Sequence, residues 1–366
     1  MKTVVVTDGK YRTSIAAVRS LRKAGYEVVV TQTRDDCAME PPVFSSRYVS
    51  ECRWIDGGCA DEGYAEKLLS LLKEYDRPVL FPIGAVTLNT LACNRETFAE
   101  AADFTVAAPE VLDALNDKEM VHGRCVELGI PAPVEYEGVP DAYPVVIKPH
   151  CGEKFGLKAE ERYAIANNEE EFKKHYARMK PYDPIVQKKV EGSGMGVSLL
   201  IDKNGALVTA ICHRRVREYP ISGGPTSCCV SFYDEGMVNK AYRLLSSFGF
   251  SGFAMVEFKG ENVLEVNPRI WGSFPLTYRA GSPFSELYVK ASTGVAPAYK
   301  GCDYKVGARM RYLINDTLAA LHYIKAGRIK EGLKGLFSLF TVRDALWDWK
   351  DVKVFLKYIK FTFSRS

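Results

Sequence analysis

Three oxygen-bearing side chains near residue 260 stand at a spacing that can do chemistry. The segment from Met255 to Arg269 reads as a hairpin turning at Gly260 to Asn262. A three-residue loop would set Glu257 opposite Glu265, and strand alternation puts Asn267 on the face of Glu265. Two carboxylates facing each other across a ladder repel, so a cation is expected between them. Two carboxylates and an amide oxygen suit Mg²⁺ that also holds phosphate oxygens; the plainer reading is a solvated strand face with both acids paired to lysines. Lys148 is the second candidate, a lysine ending the apolar run Val145, Val146, Ile147 before a loop that contains Gly152 and Gly156. An ammonium beside glycine-rich backbone can anchor phosphate, whereas the plainer reading is a lysine reaching water from a sheet edge.

The elements that must position these groups change in kind along the chain. Residues 3 to 7 (TVVVT) form a buried strand, a helix follows from Ile15 to its stop at Gly25, and Glu27 to Val30 form the next strand. Strand, helix and strand within some 30 residues predict a right-handed βαβ unit and a parallel sheet. The turn Thr7-Asp8-Gly9-Lys10-Tyr11-Arg12 has one glycine where a dinucleotide fingerprint needs three, which argues against NAD. A helix opening around Asn116-Asp117-Lys118 ends at Gly129-Ile130-Pro131. From Pro144 to Pro268 strand-like segments dominate, with helices at about 169 to 179 and 236 to 248, an α+β pattern with antiparallel sheets.

Composition narrows the classes. The 366 residues are 47% hydrophobic and 26% charged, enough to build folded cores and unlike a disordered or coiled-coil chain. A net charge of +4 is too mild for a nucleic-acid binder. The ten cysteines have no CxxC pair and no zinc spacing, so they read as reduced thiols, and Cys228 and Cys229 are expected to have no catalytic role. The beginning of the sequence does not read as a secretory leader, and no apolar run reaches the roughly 18 residues of a membrane span, so the cytoplasm is the expected compartment.

Taken together, these pieces resemble the ATP-grasp family over residues 1 to about 295. Val4 to Gly9 with Ala24 to Val28 is similar to the family's preceding Rossmann-like domain, and Asn116-Asp117-Lys118 with Leu128 to Pro133 to its opening helix. Val146-Ile147-Lys148-Pro149 matches the second lysine, Val186 to Gly192 the interdomain hinge, and Glu265-Val266-Asn267-Pro268-Arg269 the metal signature. The resemblance implies a mixed α/β and α+β architecture. It would comprise a Rossmann-like domain at 1–110, an ATP-grasp domain at 111–300 with a lid at about 120–190, and a basic helical tail at 301–366.

The resemblance further implies that Lys118, Lys148, Gly152, Gly156, Gln187, Val190 and Glu191 contact ATP, with Gln187 and Val190 along the adenine. Glu257, Glu265 and Asn267 would hold Mg²⁺, or Mn²⁺ in its place, and Arg269, Lys148 and Arg215 would be the catalytic groups. Many members carry a ribose-binding acid just past the hinge; here Gly192 to Gly196 is uncharged, leaving Glu191 as the nearest candidate.

The expected reaction joins a small-molecule carboxylate to an amine through an acyl phosphate. The rivals are bicarbonate or a non-amine acceptor, and a non-catalytic ATP sensor or tether. On strand alternation Arg215 and Arg217 share one face of the segment His213 to Pro220 and could bind oxyanions, while Arg214 faces solvent. Trp271 reads as either a substrate wall or core, and Arg279 as closing the substrate end. Residues 321 to 366 carry ten Lys/Arg against four Asp/Glu. Val352, Phe355, Leu356, Ile359 and Phe363 fall on one helical face there, for docking either on the ATP-grasp core or on the anionic inner face of a membrane. On fold analogy alone a homodimer is expected.

Overall fold

A computed structural model of the chain describes residues 1–151, 157, 161–221 and 223–364. Strand β1 (Thr3–Val6), helix α1 (Arg12–Lys23) and strand β2 (Glu27–Thr33) form the expected βαβ unit. The helix stops where Gly25 takes φ 91°, a left-handed conformation that favours glycine. With β3 (Glu51–Ile55), α2 (Tyr64–Leu72) and β4 (Val79–Phe81) these complete a parallel sheet of order β3-β2-β1-β4. Strands β1, β2 and β4 are almost wholly buried, which is why β1, β4 and the start of β2 read as Val/Leu/Phe runs, whereas the edge strand β3 is largely open to solvent.

Helices α3 (Ala85–Cys93), α4 (Arg95–Ala101) and α5 (Pro109–Asn116) lead to α6 (Lys118–Glu127). The Asp117 carboxylate accepts hydrogen bonds from the amides of Glu119 (2.9 Å) and Met120 (3.1 Å), fixing the start of α6 at Lys118. A small antiparallel sheet of order β6-β5-β7 follows, made of β5 (Val145–Pro149), β6 (Ala164–Ala166) and β7 (Pro184–Lys188). Helix α7 (Glu169–Met179), capped by Asn168, packs Phe172 and Met179 onto it to close a separate small core.

The large sheet contains β8 (Gly194–Ile201), β9 (Leu207–Glu218), β10 (Thr226–Phe232), β11 (Gly252–Lys259) and β12 (Asn262–Asn267), with α8 (Glu235–Ser246) between β10 and β11. After α9 (Pro275–Ala280) and α10 (Phe284–Ser292), strand β13 (Arg309–Arg311) completes the order β12-β11-β8-β9-β10-β13. Helices α11 (Leu313–Lys325), α12 (Ile329–Thr341) and α13 (Val352–Phe363) end the fold. An aromatic cluster joins the two halves: Phe81 of β4 lies 5.5 Å from Phe253 of β11, and Tyr288 of α10 stacks on Phe253 at 4.7 Å while donating to the Leu80 carbonyl at 3.1 Å. Trp271 belongs to this cluster at 2% exposure, against Phe274 and Phe284, so of its two readings the core prevails.

Three expectations are corrected here. The hairpin turns on the two residues Gly260 and Glu261, and a bulge between Glu257 and Phe258 restores the pairing of Glu257 with Glu265. Arg279 does not close a substrate end; it donates to the carbonyls of Asp344 and Trp347. The buried face of α13 is Val354, Phe355 and Phe361, with Leu356 and Phe363 exposed, a rotation from the face expected. This helix lies against the short turn Pro42–Ser45, so it docks on the N-terminal part. Its cap residue Asp351 explains the rotation: nearly fully buried, it accepts from Arg19 Nε (3.0 Å), Ser46 Oγ (2.8 Å) and the Arg47 amide (3.0 Å), and that fixes the helix's azimuth.

Candidate active site

A transverse row across the large sheet frames the site. Register places Glu265 beside Glu257, Glu257 beside Gly196, and Gly196 beside His213. Residues side by side in a ladder point to one face, so both acids and the histidine emerge together, with Asn267 and Arg215 two residues further along the same face. The central strand β8 is bare at this point. A Cβ on Gly196 would lie 2.3 Å from His213 Cε1, and one on Gly194 3.1 Å from Arg215 Cδ. The glycines let the Arg215 side chain cross β8 to reach Glu257, with which it forms a close ion pair, while its NH1 sits 3.2 Å from Glu218 Oε1. This is the physical reason that the segment after the hinge is glycine-rich and uncharged.

Two further cations approach from the other side. Lys118, the first residue of α6, brings Nζ to 3.5 Å from Glu265 Oε2, and Lys148 of β5 donates from Nζ to the Leu264 carbonyl at 3.3 Å. Asn267 Nδ2 donates to Glu257 Oε1 (3.3 Å), and Arg269 NH2 donates to Asn267 Oδ1 (3.2 Å). Lys118, Lys148, Arg215, Glu257, Glu265, Asn267 and Arg269 are therefore one connected cluster built from five separate elements, α6, β5, β9, β11 and β12, and the turn after β12.

The charges perturb one another. Loss of water by burial lowers the Lys148 ammonium to about 8, against the opposing pull of Glu265. Burial pushes Glu265 up, but Lys118, Lys148 and Arg215 together outweigh it and hold the carboxyl at about 2. Across the ladder Glu257 moves the other way, raised by burial and by Glu265 in spite of Arg215. His213 is pushed down to about 3, first by burial and then by Arg215; its neutral ring pairs through Nε2 with Ser273 Oγ at 3.1 Å. A dense cationic rim around two carboxylates has the chemistry to receive a polyanion whose oxygens share a divalent cation. Glu257, Glu265 and Asn267 offer the hard oxygen donors that Mg²⁺ prefers.

The remaining sequence candidates are dispersed. Gln187 is buried and donates to Glu135 Oε1 at 2.7 Å, and Glu135 Oε2 lies 3.4 Å from His122 Nδ1. Val190 is half-buried beyond the end of β7, and Glu191 is exposed in an ion pair with Lys189 at 2.7 Å. Gly152 and Gly156 lie outside the described residues. Arg214 is exposed, as expected. Arg217 is the correction: it does not share Arg215's face. Cys229 pairs with Arg215 and Cys228 with Arg217, so Val216 is an extra residue that reverses the alternation. Arg217 instead forms a two-pronged pair with buried Asp316 of α11 (2.6 and 2.7 Å), which also pairs with Arg311 at 3.1 Å.

Sequence reasoning gave no individual role to Glu135, His213 or Glu218, while Ser273 fell within Trp271 to Ser273, the stretch expected to close the substrate end. His213 and Glu218 stood in a segment read only for its arginines. Glu135 carried a signal in being the single acid between Pro131 and Tyr136.

Residues 115–273 match the family model described as the ATP-grasp domain. Solved structures share the architecture at low identity. The biotin carboxylase domain of 2-oxoglutarate carboxylase from Hydrogenobacter thermophilus, in complex with MgADP, ADP and bicarbonate, has a TM-score of 0.64 at 16% identity, covering 84% of this chain and 73% of that one. N5-carboxyaminoimidazole ribonucleotide synthetase in its ADP complex has a TM-score of 0.62 at 14% identity, covering 90% and 86%. The L-amino acid ligase from Bacillus licheniformis has a TM-score of 0.54 at 15% identity, covering 80% and 74%. No curated protein matches the chain by sequence.

Proposed function

From a chain whose residues 115–273 are an ATP-grasp domain, we propose an ATP-dependent ligase that joins a carboxylate to an amine. The observation that carries this reading is the convergence of Lys118, Lys148, Arg215 and Arg269 on Glu257, Glu265 and Asn267. Lys118 and Lys148 hold the triphosphate as point charges, and Arg269 faces the phosphoryl group in transfer. Mg²⁺ held by Glu257, Glu265 and Asn267 would supply neutralisation of the phosphate charge.

A carboxylate oxygen attacks the γ-phosphorus, the bond from that phosphorus to the bridging oxygen breaks, and ADP leaves. The amine nitrogen then attacks the acyl carbon, and the C–O bond to phosphate breaks as the amide forms. The proton shed by nitrogen leaves with phosphate. Arg215 stands on the face where oxyanion charge develops, fixed by Glu257 and Glu218 so that no reorganisation is needed. We place the reaction in the cytoplasm, with small-molecule substrates.

The test is ADP and phosphate release from Mg-ATP across a matrix of carboxylates, bicarbonate and amines, with mass spectrometry of each positive well. Release requiring both partners, with a product lighter by one water than their sum, supports the ligase. Release with bicarbonate alone points to a carboxylating enzyme like the first of the similar structures. Tight ATP binding with no release in any well sinks the catalytic reading in favour of a sensor.

A further inference from the structure

Helix α12 is amphipathic in the reverse sense. Its inward face is Gly332, Gly335 and Ser338, all buried, and the fit onto α11 is close: a Cβ on Gly332 would lie 2.4 Å from Ile324 Cγ1, and one on Gly335 2.6 Å from Ala320 Cβ. Its four most exposed apolar residues point away from the protein. Ile329, Leu333, Phe337 and Phe340 are 56%, 55%, 67% and 87% exposed. At 100° per residue these four fall within an arc of about 80°, on the side opposite the glycines. Leu318 and Leu321 of α11 are also exposed.

The rim of this stripe is basic. Lys325, Arg328, Lys330 and Lys334 are exposed, and across both helices the acids are only Glu331, engaged by Arg328 at 3.5 Å, and Asp316, buried and paired to Arg217. A second copy of the chain seated here about a two-fold axis would set this basic rim against the same basic rim, and the two helices offer no unengaged acid to meet it. An anionic bilayer supplies both missing partners, an apolar layer for the phenylalanines and negative headgroups for the lysines. At about 20 Å, α12 has the length of an in-plane helix, and no helix among the described residues is long and apolar enough to cross a membrane. We infer that the outer face of α11 and α12 docks the protein on an anionic lipid surface, a different helix from the α13 face suggested by the sequence.

The test is co-sedimentation of the full chain with vesicles of phosphatidylcholine alone or with about one third phosphatidylserine. Wild type is expected to pellet with the anionic vesicles, to bind neutral ones several-fold less, and to be released by salt. Phe337→Ser with Phe340→Ser should lower the partition coefficient by about tenfold or more, at an unchanged melting temperature. Lys330→Glu with Lys334→Glu keeps the stripe but reverses the rim and should also release the protein. Leu356→Ser with Phe363→Ser, on α13, should bind as wild type does. Failure of wild type to pellet at low salt overturns the inference, as does retention by the double phenylalanine variant. A dimer in solution that the phenylalanine variant dissociates, without vesicle binding, would reassign the face to a second copy and overturn it equally.

Discussion

Lys148 is where the electrostatics of the site are easiest to measure. Its ammonium is held near 8 by loss of water, so the free protein releases that proton as pH rises past 8 while the unfolded chain keeps it to about 10.5. Two consequences have definite sign. The fold gains stability across that window, because the unfolded state binds the extra proton. ADP, whose phosphates favour the charged ammonium, should take up a proton on binding near pH 8.5 and bind more weakly as pH climbs. Calorimetry in buffers of different ionisation enthalpy measures the uptake, and Lys148→Met should abolish it; equal uptake in the variant would show that another group is responsible. Glu265→Gln should cut turnover by about a hundredfold or more while the chain still folds, as circular dichroism would check. His213, neutral down to about 3 in the fold but titrating near 6.5 when unfolded, costs stability as pH falls between those values, by about 1.4 kcal/mol per pH unit. Urea unfolding from neutral to about pH 4.5 should give a shallower decline for His213→Gln. Glu265 and Asn267 share a face as strand alternation predicts, but the pairing of Glu257 with Glu265 was reached only by compensation, because the bulge makes up for a turn one residue shorter than expected. His213 was not legible in the sequence, because its place depends on Gly196 lacking a side chain one strand away.

At the scale of elements, the parallel βαβ start and the two antiparallel sheets could be read from β-branched runs and helix stops, since periodicity is a local property. The bulge at Val216 could not: nothing in His213 to Glu218 itself distinguishes an alternating strand from one with an extra residue. What holds the bulge lies some 99 positions away, in Asp316 beneath Arg217. Asp316→Ala leaves two guanidinium groups, Arg217 and Arg311, without their buried counter-ion. We expect it to destabilise the fold by about 3–5 kcal/mol in chemical denaturation. Strand β13 escaped notice for a similar reason, since its three residues become a strand only by pairing with Cys228 to Val230.

Over the whole molecule, the last helix is tied to the first. Arg19 of α1 and Asp351 are each 1% exposed in their ion pair, and Arg19 NH1 donates to the Leu346 carbonyl at 2.7 Å. Removing residues 347–366 would leave Arg19 without its anion and take away the carboxylate to which the Ser46 hydroxyl and the Arg47 amide donate. Hydrogen exchange in α1 and around Pro42–Ser45 should then speed up well before the large sheet is affected, and unchanged protection there would mean the tie is dispensable. The same tie sets a schedule for synthesis. Arg19 is made 332 residues ahead of Asp351, and at ribosomal rates that interval is roughly tens of seconds. For that time Arg19 waits without its counter-charge, and this face of the N-terminal sheet is completed only once Asp351 has been made.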